Sequence, residues 1–140
     1  MPHSIFGRKL SRDTDQRLAL LKGLAGALIR SEAIETTEAK AKAARDLIEN
    51  LITKARRATL NDIRLIESVI TDKELVYKLV HDIAPRFKTR AGGYLRLIRM
   101  GIRSGDNATM VRMELVSPKQ VSQKPNPKSK SSSKKSSPKK

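Results

Sequence analysis

Cysteine is absent from the 140 residues, which removes disulfide scaffolds, thiolate zinc sites and cysteine nucleophiles together and fits a reducing cytosol. The opening MPHSIFGRKL has no apolar run of the signal-peptide kind, and no stretch approaches the length that spans a bilayer. The expectation is a cytoplasmic protein without membrane association. His3 and His81 are the only imidazoles. A helical histidine beside Asp82 is most often a surface residue, since nucleophilic and zinc sites need several convergent partners. Neither a phosphate loop nor a dinucleotide fingerprint occurs. The sequence offers no enzyme site, no cofactor and no small-molecule substrate.

What it has in excess is positive charge. The net charge is +16, and its location matters more than its size, because only a localised excess makes a field. Arg8, Lys9 and Arg12 stand in the first dozen residues against no acid. Residues 13 to 85 balance base against acid. Residues 86 to 112 carry Arg86, Lys88, Arg90, Arg96, Arg99, Arg103 and Arg112 against Asp106 alone, and residues 117 to 140 hold lysines without any acid. A neutral body therefore carries three basic segments.

Length gives one domain. From Ser117 the composition collapses to SPKQVSQKPNPKSKSSSKKSSPKK, which cannot bury enough surface to offset its ordering entropy and reads as a disordered tail. Residues 1 to 12 lack a helix or strand period and read as an extended arm. The domain is residues 13 to 116. Asp13 or Thr14 can cap a helix with an apolar face of Leu18, Leu21, Ala25 and Leu28, ending near Arg30. AIETT, 33 to 37, suits a strand, after which Thr37 can cap a second helix.

That second helix has the clearest period in the chain: Ala41, Ala44, Ile48, Leu51, Ala55 and Ala58, with Glu38 and Lys42 paired outside. Its small alanines allow close approach of a partner helix. A shorter helix fits Asn61 to Ile70. Thr71 and Glu74 form a capping box opening onto Leu75, Val76, Leu79, Val80 and Ile83, and Pro85 should stop that helix. The period then changes to two, with Leu95 and Leu97 in one strand and Val111, Met113 and Leu115 in another, joined by a GIRSGDNAT turn. The fold class is α+β, about four helices packed on a small sheet of about three strands.

The stretch RAGGY, 90 to 94, raises the functional question. Glycine lets a ligand approach the main chain unobstructed, so Gly92 and Gly93 beside Arg90 make a phosphate-contact surface in which amide donors join the charges. Arg96 shares a strand face with Tyr94, whereas Arg99 points to the other face unless a bulge turns it. Charge, amide donors and an aromatic ring for stacking are the elements of nucleic-acid contact. An isolated Gly-Gly would be only a turn, and isolated arginines a solvated sheet face. The density of charge here favours polyanion binding, with the arm as a joint contact and the tail adding affinity without specificity. Asp106 and Asn107 belong to turn geometry.

At these residues the chain resembles a known family. GRKL (7 to 10), IETTEAKAKAARDLIENLITKAR (34 to 56), APRFKTRAGGYLRLIRMGIRSGDNA (84 to 108) and MELV (113 to 116), in that order, are similar to ribosomal protein seventeen of the bacterial large subunit. The resemblance implies a non-enzymatic structural role, bound to large-subunit ribosomal RNA near the peptide-exit region with neighbouring ribosomal proteins in contact. It implies RNA-facing positions at His3, Gly7, Arg8, Lys9 and Arg12, and at Arg86, Lys88, Arg90, Gly92, Gly93, Tyr94, Arg96, Arg99 and Arg103. Two departures stand out. The family arm is usually denser in base than the stretch here with Pro2, Ser4 and Ile5, and the tail has no family counterpart. Two other readings fit parts of the sequence. A DNA-compacting nucleoid protein fits the charge, and a helical adaptor fits the alanine seam, but neither explains the combined motifs.

Overall fold

A chain whose apolar residues recur at three and four for most of its length, then at two, has to fold its helices onto one face of its strands. The computed structural model describes residues 8–116 and has that arrangement; His3, Gly7 and the lysine-rich segment from 117 lie outside the described residues. In order, the elements are α1 (Thr14–Ser31), β1 (Ala33–Thr37), α2 (Glu38–Arg57), α3 (Leu60–Glu67) and α4 (Lys73–Lys78). A π-helical turn (Leu79–Ile83) and a final turn α5 (Ala84–Arg86) follow, then β2 (Leu95–Ile102) and β3 (Thr109–Leu115). The sheet is antiparallel with order β1-β3-β2.

The periods decide which side chains are inside. Ala41, Ala44, Ile48, Leu51, Ile52 and Ala55 of α2 are buried together with Leu28 of α1, Leu79, Ile83, Phe87 and the inward residues Val111, Met113 and Leu115 of β3. The alternate residues Arg96, Ile98 and Arg112 stand on the open face of the sheet, where Arg96 lies opposite Glu114 and Ile98 opposite Arg112. Two residues assigned to apolar faces by spacing fall outside the core. Leu18 is exposed in the first turns of α1, where it lines an open cleft with Lys42, Ala43 and Asp46 of α2, and Ala58 is the exposed left-handed cap of α2 (φ 52°).

Three local expectations are corrected. The cap of α4 is Asp72, whose Oδ1 accepts from the Glu74 amide at 3.0 Å, and not Thr71; a carboxylate at this position is a strong acceptor for an unpaired helix N–H. Pro85 does not stop the helix. The chain widens first into the π turn, with the Ala84 amide reaching Leu79 O, and Arg86 Nε supplies a donor to the Asp82 carbonyl at 3.1 Å. The α ladder is thus already interrupted where proline lacks its N–H. In the described part of the arm, the Arg12 amide meets Lys9 O at 3.3 Å with Leu10 and Ser11 at positive φ, so a turn interrupts the extension expected there.

Glu32 joins these layers. It caps α1 in the left-handed region (φ 64°), its amide meeting Leu28 O at 2.7 Å. Its carboxylate accepts from Arg86 at 2.8 and 3.2 Å and lies 3.6 Å from Lys78.

Candidate nucleic-acid interface

Between α5 and β2 the chain runs from Phe87 to Tyr94, and its shape follows from those two rings. They pack edge to face, centroids 5.1 Å apart, and both are buried. Tyr94 Oη accepts from Arg56 Nη1 at 2.6 Å and donates to the Ala91 carbonyl at 3.2 Å. Arg56 Nη2 donates to the Lys88 carbonyl at 3.1 Å, and the guanidinium lies 5.8 Å from the Tyr94 centroid. The backbone of residues 88 to 93 is therefore tied from beneath to the last turn of α2. One atom of the strut, Arg56 Nε, is buried without a partner.

The sequence reading offered Tyr94 as a ring for stacking, and the structure corrects it. At 1% exposure the ring has no free face. Tyr94 precedes the strand, and Gly93 in the left-handed region (φ +65°) turns the chain inward just before it. Gly92 differs from Gly93: a Cβ there would meet nothing within 4 Å, so its backbone lies open. Lys88 and Arg90 project outward, and neither has a carboxylate partner among the described residues. Arg90 Nε only reaches back to Gly92 O at 3.0 Å.

Sequence reasoning missed Arg56 and Arg57, because they stand in the segment whose charges cancel. The local signal was the KARR run closing α2, where cations also favour the helix C-terminus. Arg57 is exposed beside the strut.

The other predicted residues do not form one patch. Arg99, on the opposite sheet face from Arg96 as the alternation requires, donates to Glu38 at 3.2 Å; the bulge begins only after it, between Arg99 and Gly101. Glu38 opens α2, and its carboxyl is held below the usual range by Lys42 first and Arg99 second. Arg8 lines a cleft of about 440 Å³ there with Thr37, Glu38, Lys42 and Thr109. At the hairpin tip Arg103 grips Asp106 at 2.6 Å and 3.1 Å, which lowers the Asp106 pKa to about 2. Arg56 and Glu38 sit near opposite ends of a 20-residue helix, roughly 30 Å long. The predicted cations thus divide into a loop cluster and an arm-and-hairpin cluster.

Arg86 belongs to neither. Its guanidinium is only 15% exposed and bonded to Glu32 and Asp82 at 2.8 Å each, the Glu32 bond being the largest influence that raises its pKa. It pins the end of α1 to α5. Arg96 shares Glu114 with Arg112, at 3.8 and 3.3 Å. Among the described residues there is no cluster of three or more metal-binding side chains and no helix long and apolar enough to cross a membrane.

Comparison with known proteins finds relatives of the chain. A family model described as ribosomal protein L17 matches residues 20–116. The large ribosomal subunit protein bL17 of Gemmatimonas aurantiaca is 49% identical over 116 residues, covering 83% of this chain and 98% of that protein. Its namesakes from Campylobacter concisus, 49% identical, and Thermodesulfovibrio yellowstonii, 46% identical, match over the same number of residues and cover 98% and 87% of those proteins.

Proposed function

The chain belongs to the ribosomal protein L17 family, and from that premise we propose that it is a non-enzymatic structural constituent of the large ribosomal subunit, working in the cytoplasm on the ribosome. Its task is to bind ribosomal RNA through the Lys88–Gly93 loop and the arm-and-hairpin cluster. Neighbouring large-subunit ribosomal proteins are its expected protein contacts.

The observation that carries the RNA reading is the loop itself: Lys88 and Arg90 lack carboxylate partners among the described residues, while the backbone beneath them is fixed by Arg56 and Tyr94. Cations engaged with acids must first part from them to meet a phosphate, whereas these two are ready, and a loop already ordered loses little entropy on docking. Gly92 leaves room for a phosphate to approach main-chain amides. The second cluster stands about a helix length away, so one molecule can hold two RNA segments at a fixed spacing.

The test is association with the particle. The protein should sediment with the large subunit at moderate salt, and its affinity for large-subunit RNA should fall steeply with salt. Arg90→Ala and Gly93→Val should weaken docking while helical content is retained. A flat salt response, or full incorporation of both variants into subunits, refutes the RNA assignment of the loop. Preference for duplex DNA over ribosomal RNA in competition favours the nucleoid alternative.

A further inference from the structure

The structure buries the tyrosine that the sequence offered for stacking and exposes the other one. Tyr77, on α4, is 67% exposed. Its ring lies against that of His81, one helical turn on, with centroids 4.3 Å apart and planes inclined by 33°. His81 sits in the π-helical turn, an element that recurs at functional sites. One face of an aromatic pair is therefore presented to solvent on a protein with few aromatic rings.

The same helix borders a cationic cleft of about 510 Å³. Lys78, the residue after Tyr77, lines it with Arg30 of α1, Arg96 of β2 and Arg112 of β3. Two carboxylates also line the cleft, Glu32 and Glu114. Both are shared. Glu114 serves Arg96 and Arg112, and Glu32 serves Lys78 and Arg86. Arg30 reaches outward to Asp72 at 3.3 Å, with both side chains well exposed. That solvent-facing pair is weak and opens readily for a stronger anion, whereas Glu32 and Glu114 are less exposed. Lys78 Nζ also donates to the Arg30 carbonyl at 2.7 Å, which masks the negative end of α1 where it meets the cleft.

We propose that the Tyr77–His81 pair and the adjoining cleft form a second RNA site, which takes an unpaired nucleotide by stacking its base on Tyr77 and seating a flanking phosphate among Lys78, Arg30, Arg96 and Arg112. Tyr77 and Lys78 are consecutive, about 100° apart around α4, so ring and cation face adjoining sectors. A stacking ring beside a charged groove is how single strands are gripped. The site rests on the RNA-binding reading above but uses none of the loop residues.

The chain contains no tryptophan and only two tyrosines, so its own fluorescence reports on the site. In the full chain carrying Tyr94→Phe, with its fold checked by circular dichroism, Tyr77 is the remaining emitter. A single-stranded adenosine-rich RNA oligonucleotide should quench that emission, and a blunt RNA duplex should not. In the wild-type background Tyr77→Leu should weaken binding of the oligonucleotide about tenfold, with Tyr77→Phe within about twofold of wild type. Lys78→Gln with Arg112→Gln should flatten the log–log salt slope by roughly one to two. No quenching and an unchanged affinity for Tyr77→Leu overturn the proposal. If Arg90→Ala abolishes RNA binding while Tyr77→Leu leaves it intact, this site fails and the loop assignment stands. If neither matters, both fail. Loss of binding to a ribosomal protein, without loss of oligonucleotide binding, assigns Tyr77 to a protein contact and also overturns the proposal.

Discussion

The two neighbouring glycines separate conformation from access. Gly93 adopts φ +65°, where any side-chain-bearing residue is strained by roughly 1–2 kcal/mol, more for a β-branched one, whereas Gly92 is neither left-handed nor crowded. Gly93→Val should therefore lower stability by about that amount and displace the loop. Gly92→Ala should leave stability within about 0.5 kcal/mol in urea titrations, because nothing opposes its methyl group. If Gly92→Ala also reduces RNA affinity, the backbone there approaches the ligand closely. Beneath them, Tyr94→Phe strips the Arg56 guanidinium of its 2.6 Å partner and should cost about 1–3 kcal/mol by the same measurement. The sequence pointed to the glycine pair but not to the buried ring or its arginine partner. A tyrosine next to glycines and arginines has the composition of a stacking site, and only the positive φ before it, set by three-dimensional packing, turned the ring inward. Arg56 was equally hidden, since charge balance over a long segment averages away a local pair of arginines.

Among the elements, those with unbroken periods were legible. α1, β1, α2 and the two strands of the hairpin follow directly from spacing, because burial of one face is what the spacing encodes. The passage through Pro85 was not, as it depends on a widened turn in which an arginine side chain donates to the Asp82 carbonyl. That arginine offers a contrast. Arg86 was indistinguishable from Arg90 in the sequence, yet it is ion-paired and mostly buried. Arg86→Ala should leave Glu32 and Asp82 short of a partner and lower stability by about 2 kcal/mol, whereas Arg90→Ala should be nearly neutral in stability and selective for RNA affinity. Equal stability losses in the two variants would contradict the division of roles.

The hairpin turn has a signature in pH. Asp106 is lowered to about 2 by Arg103 and then by the Ala108 amide. Because its folded pKa lies below that of the unfolded chain, near 4, the contribution is complete above about pH 4 and is lost as pH falls toward 2. A carboxyl carbon titration by NMR should find Asp106 near pH 2, and Arg103→Ala should return it toward pH 4. A midpoint that does not move in Arg103→Ala would exclude the pair as the cause.

For the whole molecule, the position of charge relative to acid is the quantity that matters. Folding pairs Arg86, Arg99 and Arg103 with carboxylates and leaves Lys88, Arg90 and Arg57 without such partners among the described residues. If Lys88, Arg90, Arg57, Lys9 and Arg12 each neutralise one phosphate, the log–log salt slope is about −3.5 to −4.5. Filter-binding titrations over a range of potassium concentrations measure it directly. A slope near −1 would leave most of these cations unused. The sequence disclosed how much charge there was and in which segments, but the division into two ends depends on α2, whose length sets the spacing between them.

The order of the sheet also bears on how the protein is born. β1 spans residues 33 to 37 and can pair only with β3, which ends at Leu115. Its hydrogen-bonding partner is thus among the last parts of the domain to be translated. Until then α1 and α2 can meet, but Thr36 and Ile34 wait without a neighbouring strand, and pairing must close a loop of some seventy residues. A nascent chain stalled before Val111 should remain open to protease at β1 and close only once β3 has emerged.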